Sequence, residues 1–477
     1  MSSMMYLDFT ILGVLLWLVY HHYRKRGILL TPSMATMVSA LILSIYISYP
    51  FAVDPESLRA IGASAYASHM EWAVDDVLVI CSVGTAAALL GYFLLPLLLR
   101  LRLHHKPSVN VPKQSKLNMD ALTLGACVSS LIGIAFVWLF FVIVGVIPML
   151  TKDPDFFRGE VVATHPSRYI YQGGFTMASI GFMFLLPGLL LKRIKMYRPF
   201  AWAVVIFVAY TNFLTATRSN FLVPIVFSGL IYFSIGPIKL TIPRALLLLL
   251  VLLSAAAFLQ ALRGGGGDMT FSGMYNEFLH GNTLISNIRD SGWLLLNFQA
   301  HGYSFYWGKT ILAQLMGFIP RGFMDFRTQY GWGPVTLDII GSKNAVHLGF
   351  GHVYFFDWYL NFGYLGVVVE GLLLGLACHA IDASLLALRA TAGRTKTYDF
   401  FKLFKVWFAW MILGCFLLES GIFYIYPYAL GYAALYVTAL IAQKITGRFS
   451  GVAPLEKYQP LARVYTRSIA ARSRPML

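Results

Sequence analysis

Long apolar runs separated by short charged connectors set the pattern of this chain. The runs are about 17 to 25 residues long, the length a helix needs to cross a hydrocarbon core of about 30 Å. They predict transmembrane helices at about Met5 to Tyr20, Pro32 to Val53, Asp76 to the basic cluster that begins at Arg100, Ala121 to Leu150, and Gly173 to Lys192. Two more flank Thr215–Asn220, an eighth covers about Ala245 to Leu262, and three follow near Val353 to His379, Val406 to Leu418 and Tyr424 to Ala442. The expected fold is an all-α polytopic membrane protein with about eleven spans.

The pattern changes between the eighth and ninth runs. From Arg263 to about Gly351 no clean spanning run occurs, and the segment is rich in Gly, Arg, His, Asp and aromatics. A connector beyond about 12 to 15 residues is usually functional or disordered, and the aromatic and aliphatic content here predicts order. Met274 to Ala300 has a mixed helical period, and Thr310 to Phe318 reads as a short interfacial or re-entrant helix. The chain therefore divides into helices one to eight (1–262), a long loop (263–351), helices nine to eleven (352–443) and a basic tail (444–477).

Composition agrees with a lipid environment: 58% of residues are hydrophobic, only 12% are charged, and the mean hydropathy is +0.67. A net charge of +16 would suggest nucleic acid in a soluble chain, but here the basic residues sit in alternate connectors. With the N-terminus outside and the C-terminus inside, 26 of the 37 Lys and Arg residues fall on the inner side, the positive-inside pattern. The long loop then faces outward, which in a bacterial inner membrane is the periplasm. The tail from Lys444, with Arg448, Lys457, Arg463, Arg467, Arg472 and Arg474 against Glu456, lies inside. There each base contributes about 1 kcal/mol toward an anionic leaflet. Cys81, Cys127, Cys378 and Cys415 all lie in apolar runs and read as packing residues rather than a disulfide framework or a metal motif. The first run follows no basic n-region and precedes no small-residue cleavage site, so it is expected to stay as a helix.

Chemistry is concentrated at the outer ends. Arg218, Arg263 and Arg321 each stand at the end of an apolar stretch, where an arginine either snorkels to the interface or faces a polar cavity. A guanidinium fork suits a phosphate or diphosphate, because it donates two parallel charge-assisted hydrogen bonds and stays charged at every relevant pH. Gly264 to Gly267 either presents backbone N–H groups or simply lets the chain leave the membrane. It lacks the Lys-Ser/Thr context of a P-loop. His347, His352 and Asp357 gather where the ninth run begins and are candidate bases for a hydroxyl nucleophile. None of them has the spacing of a metal-binding pair, and no cofactor is expected.

Phe318-Ile-Pro320-Arg321, then Gly331-Trp-Gly333, then Gly349-Phe-Gly351 and Asp357-Trp-Tyr359-Leu-Asn361-Phe-Gly363, resemble Wzy-type oligosaccharide repeat-unit (O-antigen) polymerases. Thr215-Ala-Thr217-Arg218-Ser219 resembles that family's Thr-x-Ser-Arg element. Asp357 stands where the family commonly has Glu, and the two histidines replace small or Ser residues. The resemblance implies a GT-C-like glycosyltransferase of the inner membrane. Such an enzyme transfers a growing glycan from undecaprenyl diphosphate to a hydroxyl of another lipid-linked repeat unit, with a flippase and a chain-length regulator as possible partners. Arg218, Arg263, Arg321 and Arg327 then stabilise the diphosphate, and Asp357, His352 or His347 acts as base, with no metal.

Two other functions share part of this vocabulary. An O-antigen ligase uses the same donor with a different acceptor, and a lipid-linked oligosaccharide flippase or other transporter also places charge in a membrane cavity. Transporters usually bind near the midplane between broken helices, whereas the charge in this sequence lies in an outward loop. A glycosyltransferase using a lipid-monophosphate donor would turn instead to Glu71, Asp75 and Asp76.

Overall fold

The computed structural model describes residues 67–94, 117–151, 165–235, 283–316, 325–341, 355–395, 400–417 and 422–449, with a few isolated positions between them. The first two expected helices, most of the eighth and the tail beyond residue 449 lie outside the described residues. Among the described residues the protein is all-helical. Five helices are long and apolar enough to cross a membrane: α1 (Ala67–Phe93), α2 (Met119–Val144), α3 (Arg168–Leu190), α10 (Phe356–Thr395) and α12 (Ile422–Phe449). These are the helices of a membrane-embedded protein. The other elements are α4 (Arg198–Leu214), α5 (Arg218–Ile235), α6 (Thr283–Ala300), α7 (Lys309–Leu315), α8 (Asp325–Tyr330), α9 (Trp332–Ile340) and α11 (Phe400–Leu417).

Several boundaries differ from the pattern-based expectation for local reasons. The third expected helix begins at Ala67 rather than Asp76, so Glu71, Asp75 and Asp76 lie within α1 and not in a connector. The expected run Ala121 to Leu150 ends at Val144, where Gly145 takes a left-handed φ of 76° and its N–H caps Phe141 and Val142; a single 3₁₀ turn, Pro148–Leu150, follows. At its other end the Asn118 side chain caps α2 by accepting from Asp120 N–H. Cys81, Cys127 and Cys378 are buried thiols in no disulfide.

Among the described residues the helices gather into two large apolar clusters, with a smaller third where Phe140 and Phe141 of α2 meet Tyr171 and Phe175 of α3 and Leu214 of α4. One is built on α2 and α3 and takes in residues of α4, α5, α11 and α12. The other is built on α1 and α10 and takes in α6 and α9. In both, close contacts fall at small residues. A Cβ on Gly133 would come 2.4 Å from Gly174 O, one on Gly181 would strike Ser130 Oγ, and one on Gly125 would meet Ala439 of α12 at 2.4 to 2.8 Å. The α1–α10 seam works the same way, with Gly371 against Gly84 O at 2.4 Å and Gly91 against Leu372 O at 2.3 Å. Lipid tails are as apolar as Leu, so helix association in a bilayer relies on such close backbone packing. Val142, Ile206, Leu365 and Val437 point outward from these seams and are more than half exposed.

Candidate functional site

The ninth expected helix, Val353 to His379, is not one straight span. Gly363 has φ 62° and ψ −151°, outside any helical conformation, and divides α10 into a short arm (356–362) and a long arm (364–395). The arms fold back on each other. A Cβ on Gly366 would lie 2.5 Å from Trp358 O, whereas eight residues along a straight helix span about 12 Å. The Phe355 ring and the Gly371 backbone both press on Gly84 of α1 although they stand on opposite sides of the reversal. The short arm therefore starts level with a point just past the middle of α1 and runs back toward the Ala67 end. Glycine is needed at 363, because this φ is costly for a residue with a Cβ, and a Cβ there would lie 3.0 Å from the Phe305 ring.

A loop caps the reversal. The last carbonyls of the short arm, Leu360 O and Asn361 O, accept from Tyr306 N–H and Trp307 N–H, both at 3.0 Å, in place of the next helical turn. Trp307 and Gly308 take left-handed φ values of 51° and 82° to make this approach, and Gly308 N–H donates to Asn361 Oδ1 at 2.9 Å. At the other end of the short arm, Val353 N–H donates to the buried Ser291 hydroxyl of α6 at 3.0 Å. α6 also carries a buried ion pair, Arg289–Asp290, at 2.8 Å.

Asp357 lies at the centre of this arrangement and is only 5% exposed. Thr310 Oγ donates to its Oδ1 at 2.7 Å and Gln314 Nε2 donates to its Oδ2 at 2.9 Å. Asn361 Nδ2 donates to Asp357 Oδ1 at 3.2 Å, to the Asp357 carbonyl at 2.8 Å, and to Thr310 Oγ. Thr310 and Gln314 are four residues apart on α7, as Asp357 and Asn361 are on the short arm, so each pair shares one helix face. Two such faces meet and interlock. Neutral donors on both carboxylate oxygens are the partners an ionised carboxyl accepts.

Three atoms around this nest have no hydrogen-bond partner among the described residues although they are buried: Gln314 Oε1, Glu370 Oε2 and the Tyr306 hydroxyl. Burial, followed by Asp338, Tyr303 and Tyr330, pushes the Tyr306 phenol well above its usual range, so it remains an O–H donor. Arg327 is 8% exposed on α8, which packs against α7, the helix that presents Thr310 and Gln314. Lys309, the first residue of α7, sets its ammonium 4.8 Å over the Tyr330 ring of α8. The Tyr426 hydroxyl of α12 donates to Leu315 O, tying the end of α7 to the larger bundle.

Of the residues expected from sequence, Asp357 and Arg327 are therefore placed on neighbouring elements around α7. Arg218 opens α5, with its side chain outside the described residues, while Arg263, Arg321, His347 and His352 lie outside them altogether. Asp357, expected where the ninth run begins, lies in the first turn of α10, on the short arm that the fold sets beside the middle of α1. Thr310, Gln314 and Glu370 were not singled out as site residues from sequence, and Asn361 entered only as part of the motif that carries the resemblance. The i, i+4 spacing of the first pair within a short helix was visible, as was a lone acid at position 370 in an otherwise apolar run. Among the described residues no group of three or more His, Cys, Asp or Glu side chains is placed to hold a metal ion. Comparison with family models, curated proteins and solved structures matches this chain to none of them.

Proposed function

We propose that this protein polymerises undecaprenyl-diphosphate-linked oligosaccharide repeat units at the periplasmic face of the bacterial inner membrane, as a GT-C-like glycosyltransferase. In this reading Asp357 accepts the proton of the acceptor hydroxyl as that oxygen attacks the anomeric carbon of the donor glycan. The bond to undecaprenyl diphosphate breaks, and arginines, Arg327 among them, offset the charge that develops on the leaving diphosphate. The observation that carries the reading is the buried Asp357 carboxylate, oriented by Thr310, Gln314 and Asn361 with Arg327 buried on the adjoining helix. It also draws on the resemblance of the stretch from Asp357 to Gly363 to the polymerase motif. His352 and His347 are the other candidate bases, with Arg218, Arg263 and Arg321 as further diphosphate ligands and no metal required.

The test is a reconstitution of purified protein with lipid-linked repeat units extracted from the native membrane. Ladders of increasing glycan length on the lipid, formed without other proteins, are the expected result. Transfer of a single glycan onto a non-lipid-linked core acceptor, with no ladder, would reassign the protein as a ligase.

A second reading, transport of a lipid-linked oligosaccharide or a small solute, is favoured by one observation. The helix broken at Gly363 sets a buried acid level with the middle of a spanning helix, as in many secondary transporters. Movement of labelled substrate across proteoliposomes without new glycosidic bonds would select it.

A further inference from the structure

Glu370 lies on the long arm of α10, seven residues beyond the Gly363 reversal, while Asp357 lies six residues before it. At about 1.5 Å of rise per residue, the fold-back brings the two acids to nearly the same level. The surroundings of the two carboxyls differ sharply. Both Asp357 oxygens receive hydrogen-bond donors, but Glu370 is 3% exposed and its Oε2 has no partner among the described residues. Val367 and Leu374, on the same helix face as Glu370 at the i−3 and i+4 positions, belong to the apolar cluster that contains Ile80 and Cys81 of α1. α1 carries no Lys or Arg and three acids, Glu71, Asp75 and Asp76, and the two arms carry no Lys or Arg before Arg389. Of the other elements packed on α10 or α1, α7 brings Lys309, whose ammonium lies over Tyr330, α11 brings Lys402 and Lys405, the latter over Phe401, and α6 brings Arg289, which is paired with Asp290. An ionised carboxylate in such a place has no donor on Oε2 to repay its lost hydration, and a second charge on Asp357 opposes it.

We propose that Glu370 is a proton-binding site, the neutral member of a carboxyl–carboxylate pair whose charged member is Asp357. The pair holds one proton at rest, on Glu370. When Asp357 takes the proton of an acceptor hydroxyl the pair holds two, and loss of one to solvent returns it to the resting state. The role in turnover rests on the polymerase reading, whereas the proton on Glu370 does not. Two groups that would otherwise repel are thus compatible in one buried site.

The experiment uses full-length protein in detergent and dicyclohexylcarbodiimide, a hydrophobic reagent that modifies protonated carboxyls. Val369 and Leu373, on the flank of the helix beside the buried face of Glu370, are 39% and 46% exposed, so a lipid-soluble reagent approaches from that flank. Peptide mass spectrometry should find the adduct on Glu370 near neutral pH. The adduct should vanish in Glu370→Gln and decline as pH rises, with the decline moved to lower pH in Asp357→Asn, where the opposing charge is gone. Infrared spectroscopy provides a readout that needs no reagent: the carbonyl band of a protonated carboxyl, present in the wild type and missing from Glu370→Gln. Size-exclusion profiles establish that each variant is folded. Absence of both the adduct and the band in folded protein would overturn the proposal. Protection by sodium but not by choline would also overturn it, in favour of a metal cation between the two carboxylates. Ladder synthesis enters none of these readouts, so failure here and failure of the polymerase reading are separate results.

Discussion

The seams of the α2–α3–α12 bundle and the nest around Asp357 solve opposite packing problems. In the bundle, backbones meet where side chains are small: Gly133 on Gly174, Gly181 on Ser130, Gly125 on Ala439. The stabilisation is spread over many weak contacts, each tolerant of modest change in its neighbours. Around Asp357, one carboxylate, two amides and a hydroxyl interlock, and each polar atom depends on a particular partner. The bundle holds helices together, whereas the nest orients one acid at the depth of the middle of α1. Damage should therefore separate into loss of assembly in the first region and loss of turnover in the second.

The largest expected effect is at the acid. Asp357→Asn keeps the volume of the nest, and its new amide N–H can donate to Gln314 Oε1 if the Gln314 amide turns over, but it removes the proposed base. It should slow ladder formation by about 100- to 10,000-fold with unchanged membrane insertion. Wild-type turnover would move the base to His352 or His347. Next is Gly363→Val, which forces a β-branched residue into the left-handed reversal and against Phe305. A cost of about 1–3 kcal/mol or more is expected, read as a lower melting temperature together with lost turnover. A variant that melts normally and still forms ladders would show that the reversal does not organise the nest. In the bundle, Gly181→Val drives a side chain into Ser130 and should cost about 1–3 kcal/mol by separating α2 from α3. The protein that remains folded should retain full activity per molecule, and a selective loss of turnover would erase the contrast between the regions. The smallest effect is expected at Tyr303→Phe, which deletes a hydrogen bond of 2.7 Å from the phenol to Asp338 O on α9. It should lower stability by about 0.5–1.5 kcal/mol without slowing ladders.

The helical membrane class was legible because it rests on composition and run length, both local properties of the chain. The start of α2 and the ends of α3, α4 and α11 were legible to within a few residues for the same reason, whereas α2 ends six residues sooner and α11 begins six residues earlier than the runs suggest. The reversal in α10 was not. Gly363 sits in a continuous apolar pattern, and a glycine in a membrane helix more often marks close packing than a break. What breaks the helix here is the competing partner for its last carbonyls, the Tyr306–Trp307 backbone some fifty residues away in sequence. Asp357 was legible as a candidate because an acid at the edge of an apolar run is costly without a purpose. Its partners Thr310 and Gln314 were not, since neutral polar residues carry no such penalty at an interface and nothing local aims them at a carboxylate.

From sequence alone, the alternation of apolar runs and basic connectors determined that this is a helical membrane protein and where most of its long helices lie. It also singled out the junction of the long loop and the ninth run as the place where candidate residues for chemistry cluster. Only the tertiary structure decided that the ninth run folds back at Gly363, that α7 supplies two of the three side chains that orient Asp357, and that Glu370 lies level with that acid. Run length and composition are summed over neighbours in the chain. The site, by contrast, is made by contacts between residues 43 to 51 positions apart, which become neighbours only when the helices pack.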